Sequence, residues 1–433
     1  MQFFQPKILT SLKGYTGKNV LSDLVAGVIV AIIALPLSIA LAIASGATPE
    51  TGLYTAIIAG FTISLLGGSK VNISGPTAAF ATIVAGIIAS DGMDGLMLAT
   101  VMAGILLIIF GLCRLGSLIK FIPHSITVGF TGGIALTLVI GQLKDFLGLT
   151  YPDGTNAIET LDKLTLVFEN ITTLNLWAMA IGVFALAVLI VWPKISKKIP
   201  GSLIAVLLGA AVVALASLSV NTIGSLYTIS SSLPTFSVPA LSANKLLSLL
   251  PSAFTIALLA AIESLLSCVV SDGMIGDKHH SNTELIALGA GNLLVGFFGG
   301  IPATGAIART AANVRNGGKS PLSGMTHALV LLLVLVLLMP YAALIPMPVI
   351  AAILFIVAYN MSEWRKFVAI CKTKNWANIL VLFLTFALTV IFDLVKAIAV
   401  GMAVHYGIVL VKYLLSKRKR SQPLLSRSDK RHG

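Results

Sequence analysis

After Asp23 no residue carries a charge until Glu50, and long apolar runs of this kind recur along the chain as far as Leu415. The hydrocarbon core of a bilayer is spanned by a helix of about 20 apolar residues. In lipid every backbone polar group must be satisfied internally, which a helix does by itself. The runs therefore predict an all-α polytopic membrane protein. Only 10% of the residues are charged, against about 25% in soluble domains. A net charge of +13 would suggest nucleic acid in a soluble chain. Here the Lys and Arg residues fall in short loops and the tail, as membrane topology demands, so no nucleic-acid partner is expected. Cys113, Cys268 and Cys371 lie far apart and imply neither a disulfide framework nor a metal site. The first run is too long for the apolar part of a signal peptide and reads as a retained span.

Taken in order, the predicted spans are Asp23–Ser45, with Pro36 inside it, and Leu53–Leu66. Thr77–Ser90, Leu96–Leu115 and Ile126–Ile140 come next. After a polar segment, Gln142–Asn175, come Leu176–Val191 and Leu203–Leu218. The Ser/Thr/Pro-rich stretch Asn221–Asn244 separates these from Leu246–Val270, Leu285–Phe298, Ala306–Val314, Pro321–Met339, Pro348–Tyr359, Ile379–Phe392 and Val395–Leu415. An amphipathic piece lies around Glu363–Lys374. The total is roughly fourteen membrane segments, several too short to cross alone.

Two stretches interrupt the pattern in corresponding places: GGSKVNISGPTAAF at 67–80 and GGIPATGAIAR at 299–309. Each follows an apolar run, carries a Gly-Gly pair and leads through turn residues into a second helix. Lys70–Ser74 alternates like a short strand, and Ser74-Gly75-Pro76 reads as a helix start. Aligned on the Gly-Gly pairs, the chain divides into two seven-segment repeats, 21–218 and 246–415. They are flanked by an N-terminal segment (1–20), an extracellular linker (219–245) and a basic tail (416–433). An odd number of segments per half predicts that the second repeat is inverted. The charges agree. With the N-terminus inside, Lys70, Arg114, Lys120, Lys194, Lys197, Lys198, Lys278, Arg315, Lys319, Arg365, Lys366, Lys372, Lys374 and Lys417–Arg420 are inside too. The acid-leaning 144–169 segment and the uncharged turn 340–348 fall outside, with few bases (Lys245, Lys396).

Interrupted helices at matching positions of two halves are the best sequence pointer to a transporter's binding site. The N-terminus of a half-helix offers free N–H groups and a positive dipole end, which favour an anion. Thr77 and Ala78 form one such end; Gly305, Ala306 and Ile307 form the other. Arg309, in the first turn of the second half-helix, opposes the dipole unless an anion or a carboxylate is near. Glu263 is the lone charge between Lys245 and Asp272, and an intramembrane carboxylate is a functional candidate by default. It can bind Na⁺ together with Ser267, one turn on, exchange a proton, or pair with Arg309. Asp23 and Asp272 read as caps or interface residues. His279 and His280 lack further ligands at metal spacing. The tail is expected to touch anionic lipid headgroups. No phosphate-binding loop of the Walker type is present, and no nucleophile–base pair suggests an enzyme.

At these residues the chain resembles the SulP sulfate permease family, over about residues 19–415. The matching segments are PETGLY (49–54), GGSKVNISGPTAAF (67–80), AAIESLLSCVVSDGMIG (260–276), HHSNTELIALGAGN (279–292) and GGIPATGAIART (299–310). The resemblance implies two inverted repeats of the uracil permease-like kind, with a core domain holding the anion and a gate domain forming the scaffold and dimer contacts. It implies elevator-like transport of sulfate, bicarbonate, chloride, oxalate or dicarboxylates. In similar sodium-coupled bicarbonate carriers an Asp aligns with Glu263 and a Thr with Ser267. Glu at this place implies proton coupling instead. Family members usually continue into a cytoplasmic STAS domain; only Ser416–Gly433 follow the last predicted span here, so none is expected in this chain. The expected activity is H⁺-coupled symport of a sulfate-like oxyanion, with H⁺ or Na⁺ as the coupling ion and no other cofactor. Na⁺-coupled bicarbonate transport, H⁺-coupled dicarboxylate transport and a passive anion channel are the alternatives. A homodimer in a bacterial inner membrane, with both termini cytoplasmic, is expected.

Overall fold

Helices occupy the places that the apolar runs mark. The computed structural model describes residues 4–12, 14–117, 123–152, 155, 157, 159–196, 199–240, 242–392 and 394–420. Lys13, Lys120, Lys197, Lys198 and the tail beyond 420 lie outside the described residues. The chain begins with α1 (Lys7–Ser11), α2 (Gly17–Ala44) and α3 (Pro49–Leu66), then β1 (Ser74–Gly75) and a 3-10 turn (Ala78–Phe80) that runs into α4 (Ala81–Leu112). It continues as α5 (His124–Leu147), α6 (Thr160–Glu169), α7 (Leu176–Ile195), α8 (Gly201–Leu215) and α9 (Ile223–Leu226). The second half comprises α10 (Ala243–Ile275), α11 (Ser281–Phe297), β2 (Thr304–Gly305), α12 (Ile307–Arg315), α13 (Leu322–Leu338) and α14 (Met347–Met361). It ends with α15 (Trp364–Lys372), α16 (Trp376–Ile391) and α17 (Leu394–Arg420).

Eight of the described helical stretches are long and apolar enough to cross a membrane. Others are shorter: α11 has 17 residues and α12 only 9, below the roughly 20 a span needs. α4 breaks at Gly92, whose φ of 70° and ψ of −171° lie outside helical space and are open to glycine. With α4 counted as two helices, seven segments (α2, α3, both parts of α4, α5, α7, α8) precede the linker. Seven (α10–α14, α16, α17) follow it. The all-α polytopic fold expected from the sequence is present.

Three local readings differ. The strand expected over Lys70–Ser74 is confined to Ser74–Gly75. Side chains take over from the partner strand before it: Thr310 Oγ1 accepts from Ile73 N at 2.9 Å, and Asn313 Nδ2 donates to the Val71 carbonyl at 2.9 Å. Pro76 does not start a helix, because Thr77 is still extended (φ −131°, ψ 159°) and the 3-10 turn begins at Ala78. The polar segment after 142 is partly helical, as α5 continues to Leu147 and α6 occupies Thr160–Glu169.

By contacts the chain forms two units. One comprises residues 1–120 with 134–361, the other 121–133 with 362–433. Within the larger unit the two halves of the sequence interleave: α4 packs on α10 and α11, while α2 and α3 pack on α13. Small residues let these helices touch; a Cβ on Gly289 of α11 would stand 2.6 Å from the Gly104 carbonyl of α4. Asp23, fully buried, accepts from Lys319 N at 2.6 Å and from the Ser320 hydroxyl. It thereby ties α2 to the segment before α13, as an interface residue and not as a cap, since it lies inside α2 and α13 has no side-chain cap. In the smaller unit the start of α5 lies on α16, where a Cβ on Gly129 would meet the Leu382 carbonyl at 2.8 Å. Phe367 of α15 packs edge-on against Phe383 and Phe386.

Candidate functional site

The two interrupted stretches meet. β1 and β2 pair antiparallel, Ser74 opposite Gly305 and Gly75 opposite Thr304, and Ala306 N donates to the Ile73 carbonyl at 2.8 Å. Each strand leads within two or three residues into a helical segment, so one short ribbon holds both helix starts. A helix start leaves its first N–H groups without intrahelical partners, and a capping Ser, Thr, Asp or Asn normally accepts from one of them. Neither start here is capped by a side chain. Ala306 has no polar atom to offer, and the Thr77 hydroxyl turns away to donate to Glu263 Oε2 at 2.9 Å. Two uncapped positive ends thus lie on one ribbon. Thr77, Ala306 and Glu263 are half-buried and Ile307 is exposed, whereas Ala78 and Gly305 are buried. Because Ala306 N–H is engaged by Ile73, the open amides of the second end begin at Ile307.

Arg309 is 3% exposed. Its Nη2 donates to the Pro76 carbonyl at 2.8 Å, which carries the α12 cation across to the first helix start. Its Nη1 is buried without a hydrogen-bond partner, close against Gly75, where a Cβ would stand 2.5 Å away. Among the described residues Arg309 and Glu263 form no ion pair; Asp277 pairs with Lys7 and Lys70, and Glu363 with Lys366. Both charges therefore serve the same ribbon with separate partners. Ser267 faces elsewhere. Fully buried, it donates to Asn72 Oδ1 at 2.7 Å and lies 3.1 Å from Thr310 Oγ1. Of the remaining candidates, His279 bonds Asp272 through both its N–H and its ring Nδ1, at 3.0 and 2.7 Å, and so closes the end of α10.

The residues that hold the ribbon were not singled out from the sequence. Glu284, 1% exposed in the first turn of α11, accepts from Gly68 N at 2.8 Å, Ser69 N at 3.2 Å and Asn72 Nδ2 at 2.7 Å. Asn72 in turn receives Ser267 and Thr310. On the other side Thr55 and Asn292 anchor the 299–305 stretch: Ile301 N donates to Thr55 Oγ1 at 2.8 Å, and Asn292 exchanges two bonds with Ala303. Irregular backbone at membrane depth persists only where protein satisfies it. A faint signal was present, since Thr310 and Asn313 repeat at helical spacing beside Arg309 and Asn72 lies between two apolar residues in the interrupted stretch.

The profile of the Sulfate permease family matches residues 20–411. The chain belongs to the sulfate permease family. This sulfate permease family member is 43% identical over 422 residues to the putative sulfate transporter YvdB of Bacillus subtilis, covering 96% of this chain and 79% of that protein. It is 34% identical over 400 residues to the bicarbonate transporter BicA of Picosynechococcus, covering 89% and 69% respectively. Among solved structures, the transmembrane domain of a cyanobacterial BicA superposes with a TM-score of 0.80 at 31% identity, over 89% of this chain and 98% of that one. Murine Solute Carrier 26 family member A9, in its inward-facing state, shares the fold with a TM-score of 0.85 at 20% identity, over 94% and 71%. The permease is an integral membrane protein that transports an anion and is not an enzyme.

Proposed function

We propose that the protein is a secondary active transporter that moves a sulfate-like oxyanion together with H⁺. The observation that carries this reading is the pair of uncapped helix starts held on one ribbon with Arg309 between them. Backbone N–H groups of Thr77, Ala78 and Ile307 line the place where the oxyanion is held, and the buried guanidinium supplies the full charge. Hydrogen bonds to a charged group contribute about 1.5–3 kcal/mol each.

Coupling follows from the Thr77–Glu263 bond. While Glu263 is ionised its oxygens only accept, and Thr77 must donate to it. Once Glu263 takes a proton it can donate to Thr77, and the Thr77 hydroxyl proton is free to turn to the oxyanion. Proton and anion then occupy the site together, which is the requirement of symport. Ser267 supports the Na⁺ alternative poorly, because it is fully buried and bonded to Asn72 and Thr310, whereas Glu263 is bonded to Thr77. Similarity to bicarbonate transporters favours bicarbonate as the second reading of the substrate.

The same reading takes 21–218 and 246–415 as inverted repeats that alternate access by an elevator motion. It has both termini in the cytoplasm of a bacterial inner membrane, a homodimer as the working unit, and the basic tail on anionic lipid.

Sulfate uptake into liposomes carrying the purified protein, with and without an inward proton gradient, tests the proposal. Gradient-driven uptake that Glu263→Gln abolishes is the expected result. Arg309→Ala is expected to weaken sulfate binding by about tenfold or more while the protein stays folded. Accumulation by the Gln variant against a sulfate gradient would refute the coupling role. Uptake of bicarbonate but not sulfate would move the substrate to the second reading.

A further inference from the structure

Behind the ribbon, between α3, α12, α13 and β1, lies a group of buried polar atoms that the anion reading leaves unused. Ser64 Oγ, Ser74 Oγ, Arg309 Nη1 and both ring nitrogens of His327 have no hydrogen-bond partner in the chain. Ser74 and His327 are fully buried, and Ser64 is 5% exposed. The elements that carry Ser64, Ser74 and His327 pack on one another, α3 on both α13 and β1. The position of a Cβ on Gly60 is 3.3 Å from the Ser74 carbonyl and 3.6 Å from His327 Nδ1. A Cβ on Gly324, three residues before His327, would meet Ser64 Oγ at 2.2 Å, and one on Gly75 would meet Arg309 Nη1 at 2.5 Å. Three glycines thus border the same polar group.

Leaving five such atoms unpaired in a protein interior would cost an amount comparable with the stability of a whole domain. Ordered water is the usual partner, and it needs two to four polar neighbours in a space large enough to hold it. The chemistry suits water better than an ion. Arg309 Nη1 can only donate. A neutral imidazole offers one donor and one acceptor, and each hydroxyl can do both. Water can accept from Nη1 and donate to the imidazole acceptor; an anion could accept from Nη1 and from the imidazole N–H but would leave the imidazole acceptor without a donor.

We infer that this space is a closed, hydrated chamber in which His327, through bridging water, holds the free Nη1 of Arg309 and so fixes the guanidinium at the anion site. His327 is then a positioning residue on α13 that touches no substrate. Nη2 is already fixed by the Pro76 carbonyl, so the two ends of the guanidinium fork are held from opposite sides. The inference rests on the reading of Arg309 as the anion's charge partner.

The test compares sulfate uptake as a function of concentration in the wild type, His327→Gln, His327→Leu and Arg309→Ala. Glutamine keeps a donor and an acceptor; leucine keeps only bulk. His327→Leu is expected to raise the half-saturating sulfate concentration about tenfold with maximal uptake little changed, and His327→Gln to restore it to near the wild-type value. Two equally impaired His327 variants would mean a packing role and overturn the inference, as would two unimpaired ones beside an impaired Arg309→Ala. An unimpaired Arg309→Ala would instead sink the anion reading itself, and the inference with it. A cryo-electron microscopy map of the wild type gives an independent answer that needs no substrate and no variant. Water density within hydrogen-bond distance of both Arg309 Nη1 and His327 is expected; a dry contact, or a trapped anion in that place, would overturn the chamber.

Discussion

Replacing Glu284 should damage the site more than replacing any residue that faces the anion by its backbone alone. One carboxylate oxygen receives the N–H groups of Gly68 and Ser69, and the other receives Asn72 at 2.7 Å, with Ser264 at 3.5 Å a marginal fourth donor. In Glu284→Leu two backbone donors and one amide lose their acceptor in a buried place. Each orphaned donor costs about 1–3 kcal/mol. The simple sum overshoots, because the loop relaxes and water enters; about 3–5 kcal/mol is the usual range for breaking a buried charged network. Glu284→Gln keeps an acceptor for the two backbone N–H groups and sets a donor against Asn72, so about 1–3 kcal/mol is expected. Thermal unfolding of the purified protein in detergent should rank wild type, Gln and Leu in that order. Anion affinity should follow, because residues 67–73 lead directly into Thr77; each 1.4 kcal/mol that reaches the site weakens binding about tenfold. A leucine variant that unfolds at the wild-type temperature and binds sulfate as tightly would refute the view that Glu284 holds the ribbon.

Gly289→Ala should destabilise by about 1–3 kcal/mol, since the added carbon meets the Gly104 carbonyl at 2.6 Å and backbone cannot swing aside. Gly86→Ala, in the part of α4 before the Gly92 break and with nothing within 4 Å, should be neutral or stabilise by about 0.5–1 kcal/mol. Equal melting curves for the two variants would show that α4 and α11 separate freely. At the N-terminal segment, burial works against ionisation of Asp277, but hydrogen bonds from Lys70, the Lys278 backbone and Lys7 hold its pKa down at about 2. A lowered folded-state value means the clamp is at full strength above the unfolded value of about 3.9. It is lost only as the pH falls from there through about 2, so neutral pH leaves it intact. Asp277→Asn should release Lys7, seen as faster tryptic cleavage there at neutral pH; an unchanged cleavage rate would mean that the Lys7 N–H bond to the Gly67 carbonyl suffices alone.

The spans were legible because a membrane helix is written as one uninterrupted apolar run, and α2, α7 and α14 each appear where such a run occurs. The Gly-Gly breaks were legible for the opposite reason: Gly75, Pro76 and Gly305 are costly inside a span unless something uses them. Glu263 and Arg309 were visible as lone charges. Sequence could not reveal that they serve the ribbon through Thr77 and Pro76 instead of each other, because that choice is set by side-chain direction across α10 and α12. Glu284 was hidden in plain view. An acid in the first turn of a helix is ordinary, and only the fold shows that this one faces the N–H groups of Gly68 and Ser69. Asn72 and Thr310 were obscured likewise, as short polar residues are common in small-residue stretches. The extent of β1 was overestimated because alternation was read as pairing, where Thr310 and Asn313 take the partner strand's place.

The interleaving of the two halves bears on how such a chain is made. The partners from the second half that satisfy the backbone and amide groups of residues 68–73 come 192 to 242 positions later in the sequence. When the ribosome has delivered the first half, Gly68, Ser69 and Ile73 still lack acceptors, in surroundings where an unpaired amide is expensive. The first half-helix must therefore wait, wet or chaperoned, until α11 and α12 arrive. A gene cut within the linker would yield fragments that are each incomplete, and their co-synthesis is the condition under which the ribbon could still close.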